Sequence, residues 1–428
     1  MRFLHAADVH LDSPLRGLER YEGAPKEAIR EATRHAFEKL VALAISRQVD
    51  FVVLAGDLYD GDRDDFNIIL FFNRQMLKLR DAGIPVFMIS GNHDADNRMT
   101  TRLNPPDNVH RFGTDEPGTR VLDDLGVALH GQGFATGAVT TDLSAGYPAA
   151  VPGCFNIGLL HTCGTGAEGH AAYAPCTLDG LRSRQYQYWA LGHVHLRHDL
   201  LASDPVVAFP GNVQGRHMRE TGPKGCLIVD VNDSHEVTRE FVPLDVFRWE
   251  VCRLDATEVT SAEELVDVFG ASLNQQLQGA DGLPLAVRVL VEGPSEVHPE
   301  LASTPEQWAF EIRSRAMSIA PDDSSQPVWV EKVQFRTSIP ASRDSSQEAD
   351  GPLGELHQLI EELKQNPAGL EELTTELKTL QQKLKGVLLP DEVDEVFPTT
   401  PEQLQAALAA AGDMLLGRLQ GQPEQTTD

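Results

Sequence analysis

Short apolar runs alternate with longer amphipathic stretches over the first 245 residues of the 428-residue chain. The runs RFLHAAD, DFVVLAGD and IPVFMIS have the length of buried strands. The stretches KEAIREATRHAFEKLVALAISRQ and FNIILFFNRQMLKLRDAG repeat apolar residues at helical spacing, and we expect the second helix to end at Gly83. This alternation predicts a parallel or mixed sheet covered by helices.

From about residue 109 the pattern becomes rich in strands. Apolar runs follow one another at GVALHGQGF, FNIGLLH, YWALGHVH, PVVAFPGN and GCLIVDVN. The segment NDSHEVTREFV comes directly after the last of them and predicts the return strand of a hairpin. We therefore interpret residues 1–245 as one α/β domain.

Residues 246–337 predict a separate α+β unit. The segments FRWEVCRL, LAVRVLVEG and QPVWVEKVQF have the composition of strands. Ser261 followed by Glu264 predicts a capping box at the start of a helix. Thr304 before Pro305 predicts another cap, with proline at the first helical position.

A polar segment at 338–354 predicts a linker, and residues 355–428 predict a helical C-terminal segment. A short apolar seam is formed there by Leu370, Leu373, Leu377, Leu380 and Leu384. It is too short for a free coiled coil, so we expect these helices to dock on a partner or to pack on the chain itself. Thr400 before Pro401 predicts the start of a last helix.

The composition bounds the class of protein. The sequence contains no run of about 18 apolar residues, and its first residues lack the apolar stretch of a secretory signal. We therefore expect a cytoplasmic protein without a membrane span. The five cysteines are an odd number and contain no CxxC spacing, which argues against a disulfide framework and against a structural zinc site.

The formal net charge is -28, so the chain is strongly acidic. Residues 1–250 hold 33 acidic and 24 basic side chains, and residues 251–428 hold 31 and 12. Such a surface repels nucleic acid unless metal ions or a basic partner intervene. A salty cytoplasm would explain the same acidity, and the sequence does not decide between these explanations.

Five polar clusters stand where apolar runs end, namely DVH, GDLYD, GNHD, LLHTC and GHVH. In open α/β sheets, sites form at the carboxyl ends of the strands. Because alternate residues of a strand face one side, Asp8 with His10, and His193 with His195, can converge in pairs. Imidazoles, carboxylates and an amide without cysteine fit a divalent ion such as manganese better than a closed zinc site.

Each cluster alone also has an ordinary structural explanation. DVH is typical of a helix entry, GDLYD of a turn, and His161 of a core histidine whose hydrogen bonds are satisfied. Their joint occurrence, in this order and at strand ends, favours a metal site.

The ordered set D-x-H, GD-x-x-D, GNHD, H and GH-x-H resembles that of the calcineurin-like metallophosphoesterase superfamily. HAADVHLDSP and YWALGHVH…FPGNVQGRH are similar to the SbcD-like DNA-repair exonucleases, in particular their YhaO-type branch. The resemblance covers residues 1–245 by motif and the next unit by position and pattern. It implies an α/β fold, a four-layer sandwich of two mixed sheets flanked by helices, with an α+β cap domain at 246–337 and C-terminal helices.

The resemblance also implies two divalent metal ions, with Mn²⁺ expected, and a role for each candidate residue. One ion would be held by Asp8, His10 and His195, the other by Asn92, His161 and His193, and Asp57 would bridge them. His93 would face the scissile phosphate rather than bind metal. Asp60, which stands where some members have histidine, would orient His93, and we expect Asp94 to stabilise its loop.

The activity that the resemblance implies is hydrolysis of phosphodiester bonds at DNA ends, by an exonuclease or endonuclease working with an SbcC-like coiled-coil ATPase. A homodimer is a further assembly that it allows. The cap domain would select DNA ends by shape, with a stabilising appendage as the alternative. Two other functions remain: a small-molecule phosphodiesterase or phosphatase on the same scaffold, and a non-catalytic scaffold subunit, against which the intact ligand set argues.

Overall fold

The computed structural model describes residues 1–11, 13, 25–60, 66–96, 105–164, 174–340 and 352–384, with 398, 400, 403–405, 407–409, 411, 412 and 415. The described chain divides between Trp249 and Glu250 into two compact units, here called the first unit and the second unit. Most of the predicted linker at 338–354 lies outside the described residues, as does the end of the predicted last helix.

The strands of the described residues are, in chain order, β1 (Arg2–Ala6), β2 (Phe51–Ala55), β3 (Val86–Ile89), β4 (Val109–Arg111), β5 (Gly118–Leu122), β6 (Val127–Gly131), β7 (Phe155–His161), β8 (Tyr188–Gly192), β9 (His198–Leu201), β10 (Val206–Phe209), β11 (Gly225–Val231), β12 (Val237–Pro243), β13 (Arg248–Asp255), β14 (Leu285–Pro294) and β15 (Val328–Ser338).

The helices of the same residues are α1 (Lys26–Ser46), α2 (Phe66–Asp81), α3 (Asn92–Asp96), α4 (Leu178–Ser183), α5 (Ala262–Gly279), α6 (His298–Ser303), α7 (Pro305–Ile319), α8 (Pro352–Lys364) and α9 (Pro367–Leu384). Helix α2 ends two residues before Gly83, as its sequence predicted. The segment GNHD, expected as part of a loop, instead begins the short helix α3.

Two six-stranded mixed sheets make up the described part of the first unit. Their strand orders are β12-β11-β1-β2-β3-β4 and β5-β6-β7-β8-β10-β9. In the first sheet β1 to β4 run parallel, and β11 and β12 add an antiparallel hairpin, which confirms the predicted return strand. In the second sheet β6, β7, β8 and β10 run parallel, with β5 and β9 antiparallel at the edges.

Alternate residues of the central strands face opposite sides of the first sheet and so pack into different layers of the first unit. Leu4 and Val52 face the core shared with α1 and α2, whereas Phe3 and Val53 face the core between the two sheets. The other face of the second sheet packs Trp189 and its neighbours against Leu181 of α4. The order helix, sheet, sheet, helix confirms the predicted four-layer sandwich.

The second unit has a core of its own. A three-stranded sheet in the order β13-β14-β15, with β14 and β15 parallel, packs against α5 and α7. Phe269 of α5, Ile312 of α7 and Val289 of β14 are buried at the centre of this core. The strands and helices predicted over 246–337 are therefore all present.

The two predicted helix caps of this unit differ. Ser261 caps α5, because its hydroxyl accepts a hydrogen bond from Glu264 N at 3.2 Å. The Glu264 carboxylate accepts a hydrogen bond from Thr260 N at 2.8 Å. Thr304 makes no capping bond with its side chain in the described structure, so that part of the prediction is wrong, although Pro305 does open α7.

The C-terminal seam is only partly buried. Leu370 is buried, Leu373 and Leu377 are half-buried, and Leu380 is exposed. Thr400 and Gln403 form a capping box, with Gln403 N donating to Thr400 Oγ1 at 3.2 Å. A search of the described helices finds none that is long and apolar enough to cross a membrane.

Candidate metal centre

The predicted site residues follow the carboxyl ends of five central strands. Asp8 and His10 come after β1, Asp57 and Asp60 after β2, and Asn92 and His93 after β3. His161 ends β7 in the second sheet, and His193 and His195 come after β8. The two sheets pack face to face through their shared core, so these ends can supply one site.

Several of these residues have left-handed backbone conformations, which set the directions of their side chains. Positive φ angles occur at Asp8 (51°), His10 (48°), Asp57 (52°) and His193 (101°). Residues other than glycine adopt this region at a cost, and in native proteins such positions concentrate at functional sites. The directions of these side chains are therefore set by irregular backbone beyond the strands and not by strand alternation.

The first cluster contains Asp8, His10 and His195, whose ligand atoms all lie within 4.8 Å of one another. The Nε2 atoms of His10 and His195 are 3.1 Å apart, and His195 Nε2 is 3.9 Å from Asp8 Oδ1. Asp8 also accepts two hydrogen bonds from His193 N, which ties the two strand ends together.

The second cluster contains Asp57, His161 and His193. His161 Nε2 is 3.3 Å from Asp57 Oδ2 and 3.0 Å from Asn92 Oδ1. Asn92 Oδ1 is also 3.2 Å from His193 Nδ1, so the amide oxygen lies between two imidazoles. His193 and His195 thus fall into different clusters.

Asp57 faces both clusters. Its Oδ2 lies 3.3 Å from His161 Nε2 in one cluster and 4.0 Å from His10 Nε2 in the other. Its Oδ1 accepts a hydrogen bond from His93 N at 3.0 Å. Glycine is required at position 91, since a Cβ there would overlap the Asp57 carboxylate.

A third group contains His10, Asp60 and His93. His93 Nδ1 is 2.9 Å from Asp60 Oδ1. Ser13 Oγ and Arg216 Nη1 donate to Asp60 Oδ2 at 2.6 and 2.9 Å. Asp60 therefore holds the ring of His93 and is itself held by two donors.

The two ligand clusters fit divalent cations. An ion bound by nitrogen and oxygen at about 2.0–2.2 Å places neighbouring ligand atoms about 3.0–3.5 Å apart. The 3.1 Å between His10 and His195 in the first cluster and the 3.0 to 3.3 Å in the second lie in this range, and the 3.9 Å between His195 and Asp8 is longer. Imidazole, carboxylate and amide groups can therefore hold two ions here.

Comparisons with known proteins agree with this geometry. Residues 1–197 match the family model described as calcineurin-like phosphoesterase, and residues 249–338 match that described as metallophosphoesterase YhaO, middle domain. The chain is 34% identical over 299 residues to the Bacillus subtilis (strain 168) protein named "Uncharacterized metallophosphoesterase YhaO", covering 68% of this chain and 72% of that protein.

The chain belongs to the calcineurin-like metallophosphoesterases. It is accordingly a metal-dependent phosphoester hydrolase that uses divalent ions. A solved protein chain also aligns over 56% of this chain and 99% of its own length, with a TM-score of 0.34 and 12% identity, which is too distant a likeness to bear on function.

The protonation states of this metallophosphoesterase suit cation binding. Burial raises the pKa of Asp57, but His161, His10 and His93 lower it more strongly, and the net pKa lies below the usual range. Burial lowers the pKa of His161, yet the Asp57 carboxylate beside it outweighs burial and raises that pKa to about 9. Asp57 is therefore ionised, as a carboxylate ligand must be.

His93 and Asp94 differ in their surroundings. Burial lowers the pKa of His93, but the hydrogen bond to Asp60 and the negative charges of Asp57 and Asp60 together outweigh burial, so the pKa is raised. Asp94 accepts hydrogen bonds from the backbone N–H groups of Leu58, Tyr59 and Gly91, the loop-stabilising role that its position predicted. Burial, with help from Asp57, raises the pKa of Asp94 to about 6.

Sequence reasoning gave no role to three residues that support the site, namely Ser13, Arg216 and Glu220. Glu220 is 5% exposed, and its Oε1 lies 2.6 Å from His195 Nδ1. A carboxylate in this place fixes the ring and tautomer of a ligating histidine. A signal was available, because GNVQGRHMRE is a further polar cluster that follows an apolar run.

Proposed function

We propose that the chain hydrolyses phosphodiester bonds at DNA ends, as an exonuclease or endonuclease in DNA repair. The observation that carries the proposal is two adjacent ligand clusters that share Asp57, with His93 beside them. Two bound divalent ions, manganese in this proposal, would neutralise the anionic phosphodiester and supply hydroxide near neutral pH. The motifs similar to those of SbcD-like exonucleases support DNA as the substrate.

In this proposal His93 serves as the general acid. Its side chain is 41% exposed, whereas His10 and His161 are fully buried. Because Nδ1 contacts Asp60, Nε2 remains to give a proton to the departing oxygen. Asp60 would keep the ring in that orientation.

A small-molecule phosphodiesterase or phosphatase is the second candidate. The net charge of -28 favours it, because an acidic surface repels a long polyanion more than a compact substrate. The two bound cations would reverse the sign of the field at the site itself, which keeps DNA the leading candidate.

The test is hydrolysis of linear plasmid DNA with Mn²⁺, run beside a chromogenic phosphodiester and with EDTA controls. We expect metal-dependent cleavage of both substrates and none with EDTA. Asp57→Ala should abolish both activities. Asp179→Ala is the matched control, since Asp179 is 95% exposed and forms a surface ion pair with Arg182. Hydrolysis of the chromogenic compound alone would favour the second candidate.

We also propose that the C-terminal helices dock on a cytoplasmic, SbcC-like coiled-coil ATPase. Three exposed leucines support this proposal, namely Leu359 (57%) and Leu363 (39%) on α8 and Leu380 (45%) on α9. Leu359 and Leu363 stand one turn apart on α8 and so share one face of that helix, and exposed apolar helix faces are a common means of binding a partner.

Co-purification with the ATPase tests the docking proposal. Replacing Leu359, Leu363 and Leu380 with Ser should abolish it. Leu125→Ser, at an exposed leucine of the first unit, should have no effect. If the triple variant binds the ATPase as the wild type does, these helices do not carry the interaction.

A further inference from the structure

Arg216 lies in the segment between β10 and β11, and its side chain is 12% exposed. Its Nη1 donates to Asp60 Oδ2 at 2.9 Å. Its Nη2 donates to Glu220 Oε1 at 3.0 Å, and its Nε is 3.4 Å from Glu220 Oε2. One planar guanidinium thus spans two carboxylates.

Each carboxylate holds a different histidine of the site. Asp60 contacts His93 Nδ1 at 2.9 Å, and Glu220 contacts His195 Nδ1 at 2.6 Å. The guanidinium therefore completes a chain of contacts from His93 to His195. One end of the chain is the proposed general acid, and the other belongs to the first ligand cluster.

The segment that carries Arg216 is firmly fixed. Position 215 requires glycine, because a Cβ there would lie 2.6 Å from the backbone oxygen of Glu220. Trp249 Nε1 donates to Gly215 O at 3.0 Å. Asn212 Nδ2 donates to Glu220 Oε2 at 2.9 Å, and Arg216 N donates to the same oxygen at 2.8 Å. These contacts fix the backbone at Arg216 and the carboxylate of Glu220, in addition to the hydrogen bonds that the guanidinium itself makes.

We propose that Arg216 is a positioning residue that holds His93 and His195 in one fixed arrangement through Asp60 and Glu220. Its Nε, Nη1 and Nη2 face protein carboxylates, and Nη2 also lies 3.3 Å from His195 Nδ1, so it acts through these protein groups rather than on the substrate. Arginine suits the task because its rigid fork binds two acceptors at once, which a lysine ammonium cannot reproduce. The assignment of His93 as acid rests on the proposed function; the link to the ligand cluster does not.

The test compares Arg216→Ala and Arg216→Lys with the wild type. For Arg216→Ala we expect kcat on a chromogenic phosphodiester to fall about 10- to 100-fold, with KM within about twofold. Mn²⁺ titration should show one of two binding steps weakened by a similar factor, because His195 is less well held. Added guanidinium should restore part of the lost rate.

Control variants distinguish a loss of positioning from a general loss of folding or activity. Arg182→Ala removes an exposed guanidinium that pairs with Asp179 and should change neither kcat nor Mn²⁺ affinity. Guanidinium should not rescue His93→Asn, which loses the ring itself. Arg216→Lys keeps the positive charge between the carboxylates, so it should fold and still lose at least about fivefold in kcat because the fork is gone.

Three results would overturn the proposal. The first is an Arg216→Ala variant with kcat and both Mn²⁺ affinities within twofold of the wild type. The second is a rise in KM alone, which would mean that Arg216 contacts the substrate. The third, decisive if Arg216→Ala does not fold, is wild-type behaviour of Arg216→Lys. If the wild type hydrolyses no phosphodiester, the proposed function fails, while Mn²⁺ titration of the wild type and Arg216→Lys still tests the positioning.

Discussion

Strained backbone at the candidate metal-binding residues is supported by hydrogen bonds between neighbouring loops. Asp8 and His10 have positive φ angles, and their N–H groups donate to Gly56 O at 3.0 Å and Asp57 O at 3.1 Å. Such conformations cost on the order of 1–3 kcal/mol each. These interloop bonds keep the ligands in place, so less ordering remains when a cation binds.

The roles of Asp57 and His93 can be separated by metal content. Asp57→Ala should lose both ions, because its carboxylate faces both clusters. His93→Asn should keep both ions and lose general acid catalysis, which is worth about 10²- to 10⁴-fold in rate. Mass spectrometry of bound metal, with a rate assay, measures both effects. Loss of one ion in His93→Asn would make His93 a ligand, a role that its group with His10 and Asp60 would allow.

His5 should make stability depend on pH. It is fully buried between Tyr188 Oη and Leu191 O, and burial lowers its pKa from 6.5 to about 3. Between these values the unfolded chain binds a proton that the folded chain does not. Stability is therefore complete above about pH 6.5 and is lost as the pH falls towards 3, by up to about 1.4 kcal/mol per pH unit.

The variant His5→Gln should remove this contribution, because glutamine does not titrate. Urea unfolding of metal-free protein between pH 4 and 7 should then show a pH slope smaller by about one proton, or about 1.4 kcal/mol per pH unit. EDTA is included so that metal loss does not add to the slope. Equal slopes in variant and wild type would contradict the prediction.

At the scale of elements, similar cap sequences led to different hydrogen bonds. Ser261 accepts from Glu264 N, as an N-cap should. The Thr304 hydroxyl instead donates backwards to Glu300 O at 3.4 Å, because α6 ends immediately before it at Ser303. A preceding helix that offers a carbonyl diverts the hydroxyl from capping.

Alanine substitutions should reveal this difference. Ser261→Ala should destabilise the protein by about 1 kcal/mol, the usual cost of losing an N-cap. Thr304→Ala should cost less than half of that, since it removes only a long bond to a carbonyl. Denaturant unfolding of the two variants and the wild type measures both values. Equal losses would show that the two hydroxyls stabilise their helices alike.

At the scale of the whole molecule, the two units have separate cores, and the described site residues belong to the first unit. Because residues 251–428 are acidic, tight binding of DNA phosphates by the second unit is unfavourable. We therefore keep the proposal that the second unit selects DNA ends by shape.

Truncation tests this proposal. A chain ending at Pro340 should keep nuclease activity within about twofold. A chain ending at Trp249 retains the bond from Trp249 Nε1 to Gly215 O and should still cleave a small phosphodiester, while its preference among DNA ends changes. The ratio of rates on blunt, overhanging and chromogenic substrates measures the effect. Equal loss on all substrates would contradict selection by shape.

Much of the site was open to prediction because its residues come in short polar clusters at strand ends. The division of His193 and His195 between two clusters does not follow from strand alternation, which predicts that they face one side, and only the resemblance to the metallophosphoesterases implied it. The backbone leaves the strand after Gly192, and the φ of 101° at His193 turns that side chain towards Asn92. Arg216 and Glu220 were missed because their partners Asp60 and His195 are distant in sequence or belong to another strand end.

The sequence by itself determined most of the strands and the longer helices, because hydrophobic periodicity is a local property that burial on one face enforces. The arrangement in two mixed sheets was implied only by the resemblance to the metallophosphoesterases. The sequence also determined the chemical types available at the strand ends. Only the tertiary structure decided which groups face one another. The contact of Asp57 with both clusters and the bridge of Arg216 between Asp60 and Glu220 depend on two sheets packed face to face and on backbone angles that no local pattern encodes.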